Sequence, residues 1–94
     1  MTEAQIEQDF VDYAHAMGCR PLKLRIDGED GFPDRTVLTP DGGVLFVEFK
    51  RPGGRLRPQQ KQWLARLQSL GHPAIVATSV QQAARALCDV LNPI

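Results

Sequence analysis

Gly31-Phe32-Pro33-Asp34-Arg35-Thr36-Val37-Leu38-Thr39-Pro40-Asp41-Gly42-Gly43-Val44-Leu45-Phe46-Val47-Glu48-Phe49-Lys50 is the stretch on which the fold turns. Arg35 to Thr39 reads as a short strand. Pro40-Asp41-Gly42-Gly43 has the chemistry of a tight hairpin turn. Val44 to Lys50 reads as a second strand, apolar enough to be central. Side chains alternate faces along a strand, so Val44, Phe46, Glu48 and Lys50 share one side and Leu45, Val47 and Phe49 the other. Glu48 and Lys50 therefore emerge together where the apolar character stops. A hairpin sets the start of one strand beside the end of the next, which brings Asp34 to Glu48 and Lys50.

Outward from this hairpin, the pattern gives one element at a time. Thr2 is a candidate N-cap for a helix over Glu3 to Met17, with Ile6, Phe10, Ala14 and Met17 at helical spacing and Gly18 as its stop. Leu22 to Ile26 alternates Leu22, Leu24 and Ile26 against Lys23 and Arg25, and is predicted as a strand with one wet face. Asp27 to Pro33 is a polar loop. Arg51 to Arg57 is a basic loop with two glycines. Pro58 suits the first turn of a helix running to Leu70, with Trp63, Leu64, Leu67 and Leu70 on one face and Gly71 after it. Ala74 to Thr78 reads as a short buried strand. Ser79 caps a last helix through Leu91. The predicted class is α/β, in the order α-β-β-β-α-β-α. Its mixed central sheet is flanked by helices, and the last strand lies parallel to the third because a helix joins them.

The chain of 94 residues has 43% hydrophobic and 23% charged residues, the profile of one globular domain over 1–94. A core of this size gains from self-association. No apolar run is long enough for a membrane span, and no leader pattern opens the chain, so a cytoplasmic protein is expected. Cys19 and Cys88 fall in no metal-binding spacing and read as reduced thiols. His15 and His72 likewise lack partners at metal spacing.

The net charge of zero conceals a strong asymmetry. Ten of the eleven acids lie in the first forty-eight residues, and none lies between Phe49 and Cys88. Lys50, Arg51, Arg55, Arg57, Lys61, Arg66 and Arg85 all fall in that acid-free stretch. A local positive field binds a polyanion whatever the net charge. Arg51, Arg55, Arg57 and Lys61 are the expected phosphate contacts, with Arg25 and Arg35 as lesser candidates. A solvated positive face is the plainer reading of the same residues.

Two hard carboxylates, Asp34 and Glu48, with the backbone carbonyl of Phe49, suit Mg²⁺ or Mn²⁺. Such an ion polarises a phosphodiester and acidifies water. Lys50 beside it can orient that water, help deprotonate it, or neutralise a pentavalent phosphate. An ordinary turn aspartate and a Glu-Lys pair on a wet strand would look similar. However, Val44 and Phe46 turn this face inward, where two charges need partners.

Gly31-Phe32-Pro33-Asp34, Val47-Glu48-Phe49-Lys50, Pro52-Gly53-Gly54, Leu56-Arg57-Pro58-Gln59-Gln60, Trp63-Leu64 and Leu70-Gly71 together resemble the VRR-NUC domain. That family is a branch of the PD-(D/E)xK nuclease superfamily, and the likeness spans essentially the whole chain. It implies a restriction-endonuclease-like core. It also implies metal-binding roles for Asp34 and Glu48, a catalytic lysine at Lys50 and an active-site glutamine at Gln60. A further acid is implied on the first helix, where Glu7 is favoured and Glu3 is the alternative.

Standalone members of this length resemble phage and bacterial enzymes that act on branched DNA as homodimers. The implied function is therefore a Mg²⁺- or Mn²⁺-dependent endonuclease that cleaves four-way (Holliday) junctions in DNA repair or recombination. A monomeric nicking or flap-cutting enzyme and a non-catalytic nucleic-acid-binding module are the alternatives. Retention of Asp34, Glu48 and Lys50 together favours an enzyme over the module. Trp63 reads as core, with base stacking as the alternative, and Tyr13 is open between a dimer contact and the site.

Overall fold

The structure is a computed structural model, and it describes residues 1–93. The hairpin read above lies at its centre. Strand β2 (Arg35–Leu38) pairs antiparallel with β3 (Val44–Phe49), with Arg35 opposite Val47 and Leu38 opposite Val44. The turn closes through Thr39, whose backbone N–H donates to the Gly43 carbonyl at 2.9 Å and whose hydroxyl accepts from the Gly43 N–H at 2.7 Å. Strand β1 (Arg20–Leu22) adds to the outer side of β2, and β4 (Ala74–Ala77) runs parallel to β3 on the other side. The sheet order is β1-β2-β3-β4.

Three helices complete the predicted α-β-β-β-α-β-α order: α1 (Glu3–Ala16), α2 (Pro58–Ser69) and α3 (Val80–Leu91). Thr2 caps α1 reciprocally: its hydroxyl accepts from the Gln5 N–H at 3.1 Å and its own N–H donates to Gln5 Oε1 at 2.8 Å. The end of α2 closes with Gly71 N–H on the Gln68 carbonyl and His72 N–H on the Leu67 carbonyl, both at 3.0 Å, a Schellman arrangement. Ser79 caps α3 as expected. No described helix is long and apolar enough to cross a membrane.

Alternation along β3 splits the core in two. Leu45, Val47 and Phe49 face α1 and α3, packing with Val37 against Ile6, Phe10, Ala14, Ala83 and Leu87. The Phe10 and Phe49 rings lie 5.6 Å apart. On the opposite face Phe46 packs with Leu64 and Leu67 of α2 and with Ala74, rimmed by Phe32 and Trp63. Trp63 meets the edge of Phe32 at 5.1 Å, and the Arg66 guanidinium lies over its ring, so Trp63 belongs to the rim of this core. Truncating a ring of either cluster to Ala costs about 3–5 kcal/mol.

The first strand differs from its expected place at Leu22 to Ile26. It is Arg20–Leu22, and its buried residue is Pro21; Leu22 and Leu24 stay 37% and 46% exposed. The cause lies in β2. Leu22 pairs with Thr36, so the register would next bring Leu24 against Asp34, which precedes β2 and whose carboxylate is turned toward β3 to take the Phe49 N–H. Pairing therefore stops, and Ile26 makes only an isolated bridge to Glu29. The apolar alternation of Leu22, Leu24 and Ile26 marked the wrong face.

Gly31 fixes how this loop meets α2. Its φ is +89°, and a Cβ there would lie 2.6 Å from the backbone carbon of Gln59. Gly31→Ala is expected to destabilise by about 2–4 kcal/mol, from left-handed strain together with overpacking. Gly53→Ala, at φ +80° with nothing within 4 Å, should cost only the strain, about 1–2 kcal/mol. Urea unfolding of the two variants checks the difference.

Candidate active site

The end of β3 carries the site. The pairing of Arg35 with Val47 puts Asp34 opposite Glu48 and Pro33 opposite Phe49. A regular ladder would continue there, but Pro33 has no N–H to give, and the Phe49 N–H is taken at 2.8 Å by Asp34 Oδ2. Two things follow. Asp34 is pinned to the strand that bears Glu48. The Phe49 carbonyl, on the same edge of β3 as its N–H, receives no ladder hydrogen bond from Pro33.

Glu48 is 2% exposed. Its Oε2 accepts from Gln60 Nε2 at 2.9 Å and lies 3.7 Å from Lys50 Nζ. Gln60 is itself fixed, because its Oε1 accepts from the Arg57 N–H at 2.8 Å. That bond caps the first turn of α2, which Pro58 begins. One amide thus ties the start of α2 to the carboxylate at the end of β3. Lys50 is a largely buried cation beside it, its side chain 14% exposed.

Burial pushes the Glu48 carboxyl up to about 7; the nearby Asp34 charge adds to this, and Lys50 opposes it. Burial also raises Asp34, against the Phe49 hydrogen bond, with the Glu7 charge adding to the rise. Two desolvated carboxylates side by side are an unfavourable pair that a dication would relieve. Each is anchored through one oxygen, Oδ2 or Oε2, which leaves the other for a ligand. The donor set of Asp34, Glu48 and the Phe49 carbonyl is all oxygen, which suits Mg²⁺ or Mn²⁺. Among the described residues no third acid, histidine or cysteine completes a metal-binding group.

Asp34, Glu48, Lys50 and Gln60 are therefore brought together. Glu7 is placed otherwise: its Oε2 is 2.6 Å from Arg35 Nε and 3.6 Å from Lys23 Nζ. Arg35 also donates through Nη1 to the Pro21 carbonyl at 2.9 Å, so it is committed within the fold. Glu3 lies in the first turn of α1, where a negative charge suits the helix dipole. Arg51, Arg55, Arg57 and Lys61 are exposed, and none makes an ion pair among the described residues. Arg25 is exposed on a polar hollow formed by residues 24–32 with Arg57. Tyr13 meets Cys88 Sγ at 3.2 Å. The Glu7–Arg35–Lys23 cluster was missed from sequence; no local spacing marks a contact across 28 positions.

The fold agrees with that of known proteins. The VRR-NUC domain profile matches residues 2–81. The chain belongs to the VRR-NUC domain family, a nuclease family. It is 40% identical over 77 residues to "Putative nuclease p44" of Acyrthosiphon pisum secondary endosymbiont phage 1, covering 82% of this chain and 83% of that one. A solved structure described as "VRR_NUC domain" superposes with a TM-score of 0.83 at 26% identity, covering 93% of this chain and 96% of the other. A second, a "VRR_NUC domain protein", is similar in fold with a TM-score of 0.77 at 16% identity, over 97% and 88% of the two chains.

The raised carboxyls have a thermodynamic signature. Unfolded glutamate titrates near 4.5, whereas folded Glu48 holds its proton to about 7. Between these values the folded state binds more protons than the unfolded one, so raising pH favours unfolding. Asp34, also raised, contributes with the same sign. Metal-free protein should lose stability relative to Glu48→Gln as pH rises from about 4.5 to about 7, with the gap constant above. Urea midpoints of both proteins across that range measure it.

Proposed function

We propose that this protein is a metal-dependent, structure-specific DNA endonuclease that cleaves four-way junctions as a homodimer. The observation that carries the reading is the convergence of Asp34, Glu48, Lys50 and Gln60 at the end of β3, directly before an unpaired basic loop. Family membership and the phage nuclease relative support hydrolysis of a phosphodiester. A phage or its bacterial host cell would supply the cytoplasmic setting.

Asp34, Glu48 and the Phe49 carbonyl would hold Mg²⁺ or Mn²⁺. When bound, the ion polarises the scissile phosphate and increases the acidity of water. The chain supplies the remaining chemistry. Asp34 and Glu48 are fixed before substrate arrives, one by the Phe49 N–H and the other by Gln60. Lys50, held beside Glu48, orients the attacking water and offsets the extra negative charge on phosphorus as the fifth bond forms. Gln60 acts through Glu48, so it is a positioning residue.

Arg51, Arg55, Arg57 and Lys61 grip flanking phosphates and leave the bases unread, which suits recognition by shape. Two copies related by a two-fold axis would present two such sites to the matched strands of a junction. Self-association also supports a core this small.

Labelled four-way junction, flap and duplex DNA, incubated with and without Mg²⁺ or Mn²⁺, test the activity. Cleavage should require the ion and fall by at least about 100-fold in Lys50→Ala, within the range assigned to a general acid–base group. Full-rate cleavage without metal, or by Lys50→Ala, would refute the mechanism. A monomer by sedimentation at micromolar concentration would leave nicking or flap cutting as the activity.

The basic loop has its own test. Arg51→Ala with Arg55→Ala should weaken junction binding and reduce the log–log salt slope by about 2, near 0.9 per phosphate contact. Binding titrations at several salt concentrations measure it, and an unchanged slope removes the role.

A further inference from the structure

Leu24 leaves 46% of its surface exposed, and the segment that carries it has left the sheet. Residues 24–32 curl back, closed by the Ile26–Glu29 bridge. With Arg57 at the start of α2 they form a hollow of about 690 Å³. Pockets that bury a small ligand measure about 300–1,000 Å³. Gly31 packs on Gln59 too closely for a Cβ, which holds this loop against α2. The hollow adjoins the site. Phe32 lines it two residues before Asp34, and the Arg57 N–H is bonded to the Gln60 that holds Glu48.

Three kinds of side chain line it. Leu24 and the half-buried Phe32 are apolar. Arg25 and Arg57 are exposed guanidiniums, and neither makes an ion pair among the described residues. Asp27 and Asp30 are exposed carboxylates in the same condition, whereas Glu29 engages Arg66 at 3.4 Å. Opposite charges that share a hollow without neutralising each other leave both signs to a ligand. A bare phosphate would meet the carboxylates, and a bare cation the guanidiniums. A purely apolar group would satisfy neither. A nucleotide matches all three: its phosphate accepts from a guanidinium, its base covers the apolar groups, and base N–H groups donate to a carboxylate.

We propose that this hollow receives one unpaired nucleotide of the DNA substrate, next to the scissile phosphate. The inference rests on the DNA-cleaving reading above. A base inside a continuous duplex is paired and stacked, so a branch point, bulge or flap gives up a nucleotide at far lower cost. The hollow thus supplies a preference for DNA structure that phosphate contacts alone do not. Guanine offers a ring N–H and an amino group side by side to the two oxygens of a carboxylate, and thymine offers a single N–H.

The test is the binding of labelled duplex DNA with one bulged nucleotide, read by fluorescence anisotropy in Ca²⁺ with the strands checked for integrity. The bulge holds guanine, thymine or an abasic residue, and a fully paired duplex is the reference. Wild type should bind the guanine bulge at least about 10-fold more tightly than the abasic one, from the base contacts, with thymine between. Leu24→Ser, and Asp27→Ala with Asp30→Ala, should each bring that ratio close to unity. Loss of acids alters the overall charge, but charge acts on both bulges alike and cancels in the ratio.

Equal binding of guanine and abasic bulges by wild type would overturn the proposal, as would a ratio untouched in either variant, folded by circular dichroism. If one variant does not fold, the wild-type ratio and the other variant decide. Free dGMP that displaced the guanine bulge at micromolar concentration would make the occupant a mononucleotide and overturn it too. Each of these results leaves junction cleavage standing. Failure to bind any of the DNAs would remove the DNA-cleaving reading and this inference with it.

Discussion

The hydrogen bond from the Phe49 N–H to Asp34 Oδ2 is the contact on which the site depends. It forms because β2 begins just after a proline. Had residue 33 carried an N–H, the β2–β3 ladder could have run on and satisfied both polar groups of Phe49. Pro33 cannot donate to the Phe49 carbonyl, and the Asp34 carboxylate takes the Phe49 N–H in place of the Pro33 carbonyl. The same substitution turns Asp34 toward Glu48, fixes one of its oxygens and leaves the Phe49 carbonyl without its ladder donor. A backbone defect at a strand end thus gathers a set of oxygen acceptors.

Holding that arrangement works against stability. Glu48 is almost fully buried, and its neighbour Asp34 carries the same charge. Lys50 offsets part of this, yet the Glu48 carboxyl is still pushed up to about 7. The two core clusters on either side of β3 provide the opposing free energy. Phe49 has a double part, because its ring packs on Phe10 while its backbone serves the site. A well-packed strand carrying a strained polar terminus is the usual compromise between stability and a functional site.

Much of this was legible in the sequence because it is local. The hairpin turn sets the β2–β3 register, and register alone places Asp34 opposite Glu48. Pro58 marks the start of α2, and from there Gln60 falls in the first turn, facing the sheet. The family likeness then attached roles to positions that strand periodicity had already grouped. What was not legible depends on partners distant in the chain. The strand expected at Leu22 to Ile26 failed because its extent is set by where β2 begins, a fact belonging to residues 33–36. Arg35, next to Asp34, looked available to DNA until Glu7 and the Pro21 carbonyl were seen to hold it. Periodicity reports which way a side chain points and says nothing of what meets it.

The charge asymmetry of the chain gains a structural meaning from these contacts. The acid-rich half supplies Glu7 and Glu29, which engage Arg35, Lys23 and Arg66, as well as the two carboxylates of the site. Cations paired in this way stabilise packing and add little to the outer field. The loop after Lys50 and the helix that follows it contain no acid, and Arg51, Arg55, Arg57 and Lys61 keep their charge facing water. A polyanion meeting this surface would be drawn to these unpaired cations, which follow Lys50 in the chain. On the proposed reading, the ordering of acids before bases along the chain would direct the substrate backbone toward the carboxylates, while a net charge of zero would limit attraction elsewhere.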